Sequence, residues 1–295
     1  MTEKVSKHFA DFDVWSTSDM VDAMYQGQVA AINAMKSSLT VIAGAAEAAA
    51  DRLGDTGRLI YVGAGTSGRL AIMDGAELTP TFGWPRERLV FCIAGGPSAI
   101  TVSVEGAEDS YDDGASEMRE INVNNNDVVI GVAASGTTPY TLGAIDQAGK
   151  LGALTIGIAN NADTPILQNA AQAILAETGS EIIAGSTRMK AGTTQKAILN
   201  ILSTAIMTKL GKVYNGLMVD MIVSNNKLEN RAINMICDIS GCSKNIASEA
   251  LKKADRNIKK AVLISLGENL QASEEILAGA RGNLRAALST LKSDK

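Results

Sequence analysis

The chain has 295 residues, 46% hydrophobic but only 4% aromatic, enough for one large domain or a core domain with a small companion, its core built from Ala, Val, Ile, Leu and Met. Its formal net charge of −5 argues against nucleic acid as the partner, which would call for a basic face. A single histidine, His8, and three scattered cysteines, Cys92, Cys237 and Cys242, leave no multi-histidine metal site and argue against a Ser-His-Asp triad or a disulfide framework. Proton transfer would then fall to carboxylates, lysines or hydroxyls.

No charged n-region with an apolar h-region opens the chain, and no stretch of about 20 apolar residues follows; the expectation is a soluble, cytoplasmic protein that does not engage membranes. Residues 18–54 read as long, Ala-rich helix, with Met20, Val21, Met24, Val29, Ile32, Met35, Leu39 and Ile42 near helical spacing. Gly27 and Gly44 are its candidate breaks. From residue 58 short apolar runs at 59–62, 89–94, 128–133, 153–158 and 173–176 alternate with helical segments. Near-continuous apolar strands with helices between them predict a parallel sheet covered on both faces, with ligands at the carboxyl ends of its strands. Cys92, inside the second run, reads as a core residue.

The first run, Leu59-Ile60-Tyr61-Val62, empties into Gly63-Ala64-Gly65-Thr66-Ser67-Gly68-Arg69. Glycines allow close backbone approach and positive φ, amides at a helix start favour an anion, and Thr66 and Ser67 add two hydroxyls. The turn predicts a seat for a phosphorylated ligand. It lacks the lysine of a Walker loop. The fingerprint G-x-G-x-x-G fits Gly63, Gly65 and Gly68, but the next apolar run ends in Ala94-Gly95-Gly96, without the carboxylate that binds ribose. A tight turn without ligand is the simpler alternative.

Two further hydroxyl-rich turns stand in comparable positions. The third run ends in Ala134-Ser135-Gly136-Thr137-Thr138-Pro139-Tyr140, with Pro139 suited to a first helical turn. Gly185-Ser186-Thr187-Arg188-Met189-Lys190 opens the longest helix, 190–211, which stops at Gly211. Converging on one ligand, the three turns would supply several neutral donors, with Arg69, Arg188 or Lys190 as nearby cations. Two acidic clusters lie downstream of such turns: Asp74 with Glu77, and Glu105 with Glu108 and Asp109. Glu105 and Glu108 share a face if their segment is helical. A carboxylate pair beside a phosphosugar can divide acid and base roles; solvated surface acids are the alternative. Residues 228–295 read as short helices, with a turn and N-cap at Gly241-Cys242-Ser243 and a break at Gly282. The pairs Lys252-Lys253 and Lys259-Lys260 read as solvated faces.

The first and second turns and the three-turn layout resemble a SIS (sugar isomerase) domain. Gly63 through Gly83, Val104 through Ser110, Gly185 through Thr193 and Gly211 through Asp220 more narrowly resemble the N-acetylmuramic acid 6-phosphate etherase family, over residues 16–270. Ser186 through Thr193 sets that family apart from generic SIS isomerases. The segment before Ser16-Thr17 is short and departs from the family pattern.

The resemblance implies an α/β fold, a five-stranded parallel sheet flanked by helices of the flavodoxin-like SIS type, with a small C-terminal helical subdomain resembling a ubiquitin-associated bundle. Residues 1–54 would be an N-terminal helical segment on the SIS domain, 55–226 the sugar-phosphate-binding domain and 227–295 the helical subdomain. It implies a homodimeric carbon–oxygen lyase of cell-wall sugar recycling, without cofactor or metal. That enzyme converts N-acetylmuramic acid 6-phosphate and water to N-acetylglucosamine 6-phosphate and D-lactate. The family's catalytic pair falls on Glu77 and Glu108, with Glu108 as base at C2 and Glu77 as acid at the departing lactyl oxygen. Thr66, Ser67, Ser135, Gly136, Thr137, Thr138, Ser186 and Thr187 would hold phosphate and sugar hydroxyls, with Lys190 as a charged partner. Two other functions suit the fold: an aldose–ketose sugar-phosphate isomerase, and a non-catalytic sugar-phosphate sensor. The glucokinase regulatory proteins among such sensors resemble two SIS domains in tandem, where this chain has room for one.

Overall fold

The computed structural model describes residues 2–293, which divide into two compact units. The first comprises Met1–Gly75 and Glu87–Ile206, the second Ala76–Arg86 and Met207–Lys295.

The first unit opens with α1 (Thr17–Ala34) and α2 (Leu39–Leu53). Ser16 caps α1 by accepting the Asp19 amide. Neither Gly27 nor Gly44 breaks a helix; the break is the 3-10 turn Met35–Ser38. There the buried Ser38 hydroxyl leaves the helix to donate to the Leu175 carbonyl, a partner that sequence spacing does not reveal. Thr17–Leu53 reaches the length and apolar composition of a membrane span, although no long uninterrupted apolar stretch stands in the sequence. Its Ile42, Ala45, Ala46, Ala49 and Leu53 are buried within the first unit.

All five expected strands form: β1 (Leu59–Gly63), β2 (Leu89–Ile93), β3 (Val128–Ala133), β4 (Leu154–Ala159) and β5 (Gln172–Leu175). They make one parallel sheet in the order β2-β1-β3-β4-β5, with Leu59 opposite Leu89 on one side and Val128 on the other. The connections carry α3 (Gly65–Ala76) and α4 (Leu78–Phe82), then α5 (Tyr111–Glu120), α6 (Pro139–Lys150) and α7 (Pro165–Asn169). Ile60, Val62, Val129 and Ala133 pack with Met118, Ala144, Ile145 and Ile166 of α5, α6 and α7. The alternate residue Tyr61 faces α3 on the other side, its hydroxyl donating to Asp74 at 2.9 Å, as the two-residue period of a strand requires. The long helix α8 spans Lys190–Lys209, and Gly211 follows it with φ +73°.

The second unit holds α4, the segment 207–225 and five helices: α9 (Asn226–Ser240), α10 (Lys244–Lys253), α11 (Ile258–Ser265), α12 (Leu270–Gly279) and α13 (Leu284–Ser293). Gly241 terminates α9 at φ +74° and the Ser243 side chain caps α10, both as the sequence indicates. Val219, Met221, Ile236, Leu251, Val262 and Leu263 lie in its core. Lys252 and Lys253 are solvated, but Lys259 is not. It is 5% exposed and bonded to Asp220, because the partner that draws it inward lies 39 residues away.

Within the first unit, α5 and α6 touch through glycines. A Cβ at Gly143 would sit 2.0 Å from the Tyr111 carbonyl oxygen, and one at Gly114 2.0 Å from that of Tyr140. Gly143→Ala should therefore destabilise by about 1–3 kcal/mol through overpacking, whereas the same change in an open helix stabilises by about 1 kcal/mol. Urea unfolding reads the sign, and an unchanged or raised midpoint contradicts this packing.

Candidate active site

Because β1 lies between β2 and β3, the chain steps from β1 to β2 on one side and then crosses back to β3 on the other, so the winding reverses at β1. In such sheets the crevice at the carboxyl end of the reversal is where ligands bind. The turns after β1 and β3 flank it.

In the first turn, helix α3 already begins at Gly65, so Thr66 and Ser67 occupy its first turn rather than a free loop. Their position puts hydroxyls and helix-start amides at the same end. The strand can turn this sharply because two glycines face each other: a Cβ at Gly63 would lie 2.8 Å from the Gly68 nitrogen, and one at Gly68 2.9 Å from the Gly63 oxygen. Ser67 is buried and Thr66 half-buried. Arg69 Nε donates to the carbonyls of Ala99 (3.0 Å) and Ile100 (2.9 Å), tying the segment after β2 to this turn.

In the second turn, Gly136 takes φ +72° with Thr164 against it. The Thr137 amide donates to Ser135 Oγ at 3.2 Å, and Ser135 Oγ lies 3.4 Å from Thr138 Oγ1. Pro139 opens α6. The third turn reaches the first: the Cβ position of Gly192 lies 3.5 Å from Thr66 Cγ2 and 3.3 Å from the Thr187 carbonyl oxygen. Ser186 and Thr187 are half-buried there, and Thr187 accepts the Gly192 amide at 2.8 Å.

Glu108 sits in the 3-10 turn Ala107–Asp109, after Gly106 at φ +74°. It is exposed and lines a cleft of about 370 Å³ together with Gly65, Thr66, Arg69, Ser103 and Glu105. The first turn and this carboxylate thus open onto one space. Gly106 interrupts the segment, so Glu105 and Glu108 share the cleft without sharing a helix. Lys190 faces elsewhere: its Nζ donates to the Ser180 carbonyl at 2.9 Å, and it lines a separate cavity with His8, Phe9, Trp15 and Asp19. Glu77 belongs to the second unit, exposed, immediately before α4, its carbonyl accepting the Thr81 amide at 3.2 Å. Among the described residues no group of three or more His, Cys, Asp or Glu is placed to hold a metal ion.

Several buried polar side chains behind the turns escape sequence reading. Glu181 is fully buried and accepts the amides of Lys190 and Ala191, both at 2.9 Å, capping α8 from nine residues upstream. Asp74 is buried and accepts from Tyr61, from Asn200 Nδ2 (2.6 Å) and from Ser203 Oγ (3.1 Å), joining β1, α3 and α8. Asn200 and Ser203 stand three apart on α8, a spacing that puts both on the face turned to Asp74. Tyr140 donates to Glu117, linking α6 to α5, and burial followed by that carboxylate pushes the phenol's pKa up. Cys92 is a buried thiol whose pKa burial also raises.

The parallel sheet with hydroxyl-bearing turns at its reversal defines a SIS-domain protein. Residues 105–205 match the SIS domain model, and residues 41–149 match that of the glucokinase regulatory protein N-terminal SIS domain. Among solved structures, a protein of E. coli CFT073 aligns with TM-score 0.51 at 17% identity, covering 70% of this chain and 97% of that one. The C-terminal domain of glucosamine-fructose-6-phosphate aminotransferase from Francisella tularensis aligns with TM-score 0.50 at 18% identity, covering 89% and 67%. Both show the fold. Sequence relatives are far closer. The N-acetylmuramic acid 6-phosphate etherase of Deinococcus radiodurans is 45% identical over 97% of this chain and 94% of its own. Those of Erwinia tasmaniensis and Salmonella typhi are 46% and 44% identical, each over 94% of this chain and over 91% and 94% of their own lengths. The chain belongs to the N-acetylmuramic acid 6-phosphate etherase family.

Burial pushes the Asp74 carboxyl above its ordinary value of 3.8, against the lowering effect of its three hydrogen bonds. A carboxyl with a raised folded pKa favours the native state when protonated, and that contribution is lost as pH rises through the folded value. Relative to Asp74→Asn, the wild type should lose stability across the window that opens above 3.8. Urea unfolding of both proteins over a pH series reads this, and a pH-independent difference contradicts it.

Proposed function

We propose that this protein is a lyase that cleaves the D-lactyl ether of N-acetylmuramic acid 6-phosphate, giving N-acetylglucosamine 6-phosphate and D-lactate. The carrying observation is the cleft that Glu108 shares with Gly65 and Thr66 at the start of α3. It sets a carboxylate beside a helix start suited to a phosphate. The name borne by relatives across nearly the whole chain supports the same reading.

In the ring-opened sugar the lactyl ether sits at C3, β to the C1 aldehyde. Glu108, as carboxylate, takes the C2 proton, and the electron pair delocalises into the carbonyl as an enolate. Collapse of the enolate breaks the C3–O bond, and the departing lactyl oxygen takes a proton from a carboxylic acid. Glu77 is assigned that role on family resemblance. Water then adds its oxygen to C3 and gives up a proton to the acid's conjugate base, while C2 recovers a proton from Glu108. No electrons are gained or lost overall. Thr66, Ser67, Ser135, Thr137, Thr138, Ser186 and Thr187, with the Gly136 backbone, are proposed to hold the phosphate and sugar hydroxyls. Lys190, which lines a different cavity with His8 and Trp15, stands outside that set.

In deuterated water, Glu108→Gln should lower D-lactate release by about 10²–10⁴-fold, the usual worth of a general base, and abolish deuterium entry at C2. Full turnover in this variant removes Glu108 from the mechanism. Interconversion of a sugar phosphate without lactate favours the isomerase reading, and phosphate-dependent binding without turnover favours a sensor.

The homodimer implied by the family has an apolar face to bury. Val21, Tyr25, Val29 and Ile32 recur at helical spacing on α1 and are all exposed. Such a stripe on a soluble protein marks a contact surface. Val29→Asp combined with Ile32→Asp should halve the mass found by light scattering; an unchanged mass contradicts this assignment.

A further inference from the structure

The second unit contains a buried charge that its core does not require. Lys259, 5% exposed within α11, donates from Nζ to Asp220 Oδ2 at 2.5 Å and to the Gly282 carbonyl at 2.6 Å. Lys212 Nζ lies 3.4 Å from the same carboxylate oxygen. Burial lowers the Lys259 pKa while Asp220 opposes the shift. A buried ion pair adds little stability over well-packed apolar residues, and its best-attested use is to fix register. The pair ties α11 to the segment 219–223, whose Val219, Met221 and Val223 also lie in the core.

That segment clasps α4. The Ile222 amide donates to the Pro80 carbonyl at 3.2 Å. Gly83, which ends α4 at φ +61°, lies so close to Asp220 that a Cβ there would sit 2.5 Å from the Asp220 carbonyl oxygen. Beyond the clasp, Thr79 Oγ1 donates to the Trp84 carbonyl at 2.9 Å, and Trp84 is 1% exposed. The residue that α4 extends from is Glu77. One short helix of five residues is thus held at Pro80 and Gly83 by a segment that Lys259 stakes in place.

We infer that Lys259 and Asp220 are positioning residues for Glu77, so that the C-terminal helices act in the reaction by fixing the carboxylic acid that protonates the departing lactyl oxygen. The inference rests on the reading of Glu77 as that acid. Neither residue touches substrate; each acts through the 219–223 segment and α4. A displaced acid slows C3–O cleavage but leaves C2 deprotonation intact, so the enolate returns to substrate more often than it goes forward. Reprotonation in deuterated water then marks C2 of the recovered substrate.

The test uses the full chain in deuterated buffer and measures two quantities: deuterium at C2 of unreacted N-acetylmuramic acid 6-phosphate, and D-lactate released. Their ratio does not depend on the folded fraction, so partial unfolding of a variant does not blur it. Lys259→Met and Gly83→Ala should each raise the ratio about ten- to a hundredfold, the range expected for a small misplacement, and should match Glu77→Gln. Lys252→Met, on the exposed face of α10, should leave it at the wild-type value. A wild-type ratio in Lys259→Met and Gly83→Ala, with Glu77→Gln raised, overturns the positioning role while keeping Glu77 as the acid. A wild-type ratio in Glu77→Gln overturns the assignment of the acid, and the inference with it.

Discussion

The backbone contact between Gly63 and Gly68 is the constraint on which the rest of the site depends. A parallel strand can deliver a helix start to the sheet edge only if the chain reverses direction within a few residues. Here the strand end and the helix's first turn lie at distances that a Cβ at either position would violate. Once that turn is made, Thr66 and Ser67 stand at the start of α3, Arg69 reaches the segment after β2, and Gly192 brings the third turn against Thr66. The cleft with Glu108 follows from these contacts.

Much of this was legible in the sequence because it is governed by local rules. The five strands were near-continuous apolar runs bounded by glycine or polar residues, and each formed within about a residue or two of its expected limits. Glycine at the strand ends, Pro139 at the start of α6 and Ser243 before α10 had unambiguous local meanings. The three hydroxyl-rich turns pointed to one edge of the sheet because parallel topology places equivalent strand ends together. Failures came where a side chain answers to a distant partner. Ser38 bends the N-terminal helix toward Leu175, so the break missed both glycines. Lys259, in a basic pair that reads as a solvated face, is drawn inside by Asp220. Glu181 caps a helix that starts nine residues later.

The carboxylates divide by environment. Asp74 is enclosed and tied to Tyr61, Asn200 and Ser203, which suits it to joining β1, α3 and α8. Glu108 is exposed on a short turn after a left-handed glycine and faces an open cleft. Glu77 stands at the head of a five-residue helix that Ile222 holds at Pro80 and Asp220 flanks at Gly83. Glu77 and Glu108, the proposed acid and base, are both exposed, and the Glu77 carbonyl is held by the Thr81 amide. Elimination followed by addition of water asks for little more: a base, an acid and donors for the developing enolate oxygen.

In the proposed reaction, elimination breaks the C3–O bond of the substrate, leaves the ether oxygen on lactate and returns the oxygen of water to C3. The most direct measurement is turnover of N-acetylmuramic acid 6-phosphate in water labelled with heavy oxygen, with both products analysed by mass. Elimination and rehydration put one labelled oxygen at C3 of N-acetylglucosamine 6-phosphate and none in the ether-derived hydroxyl of D-lactate. Label in that lactate hydroxyl, with C3 of the sugar unlabelled, would mean attack at the lactyl carbon and rule out elimination at C3.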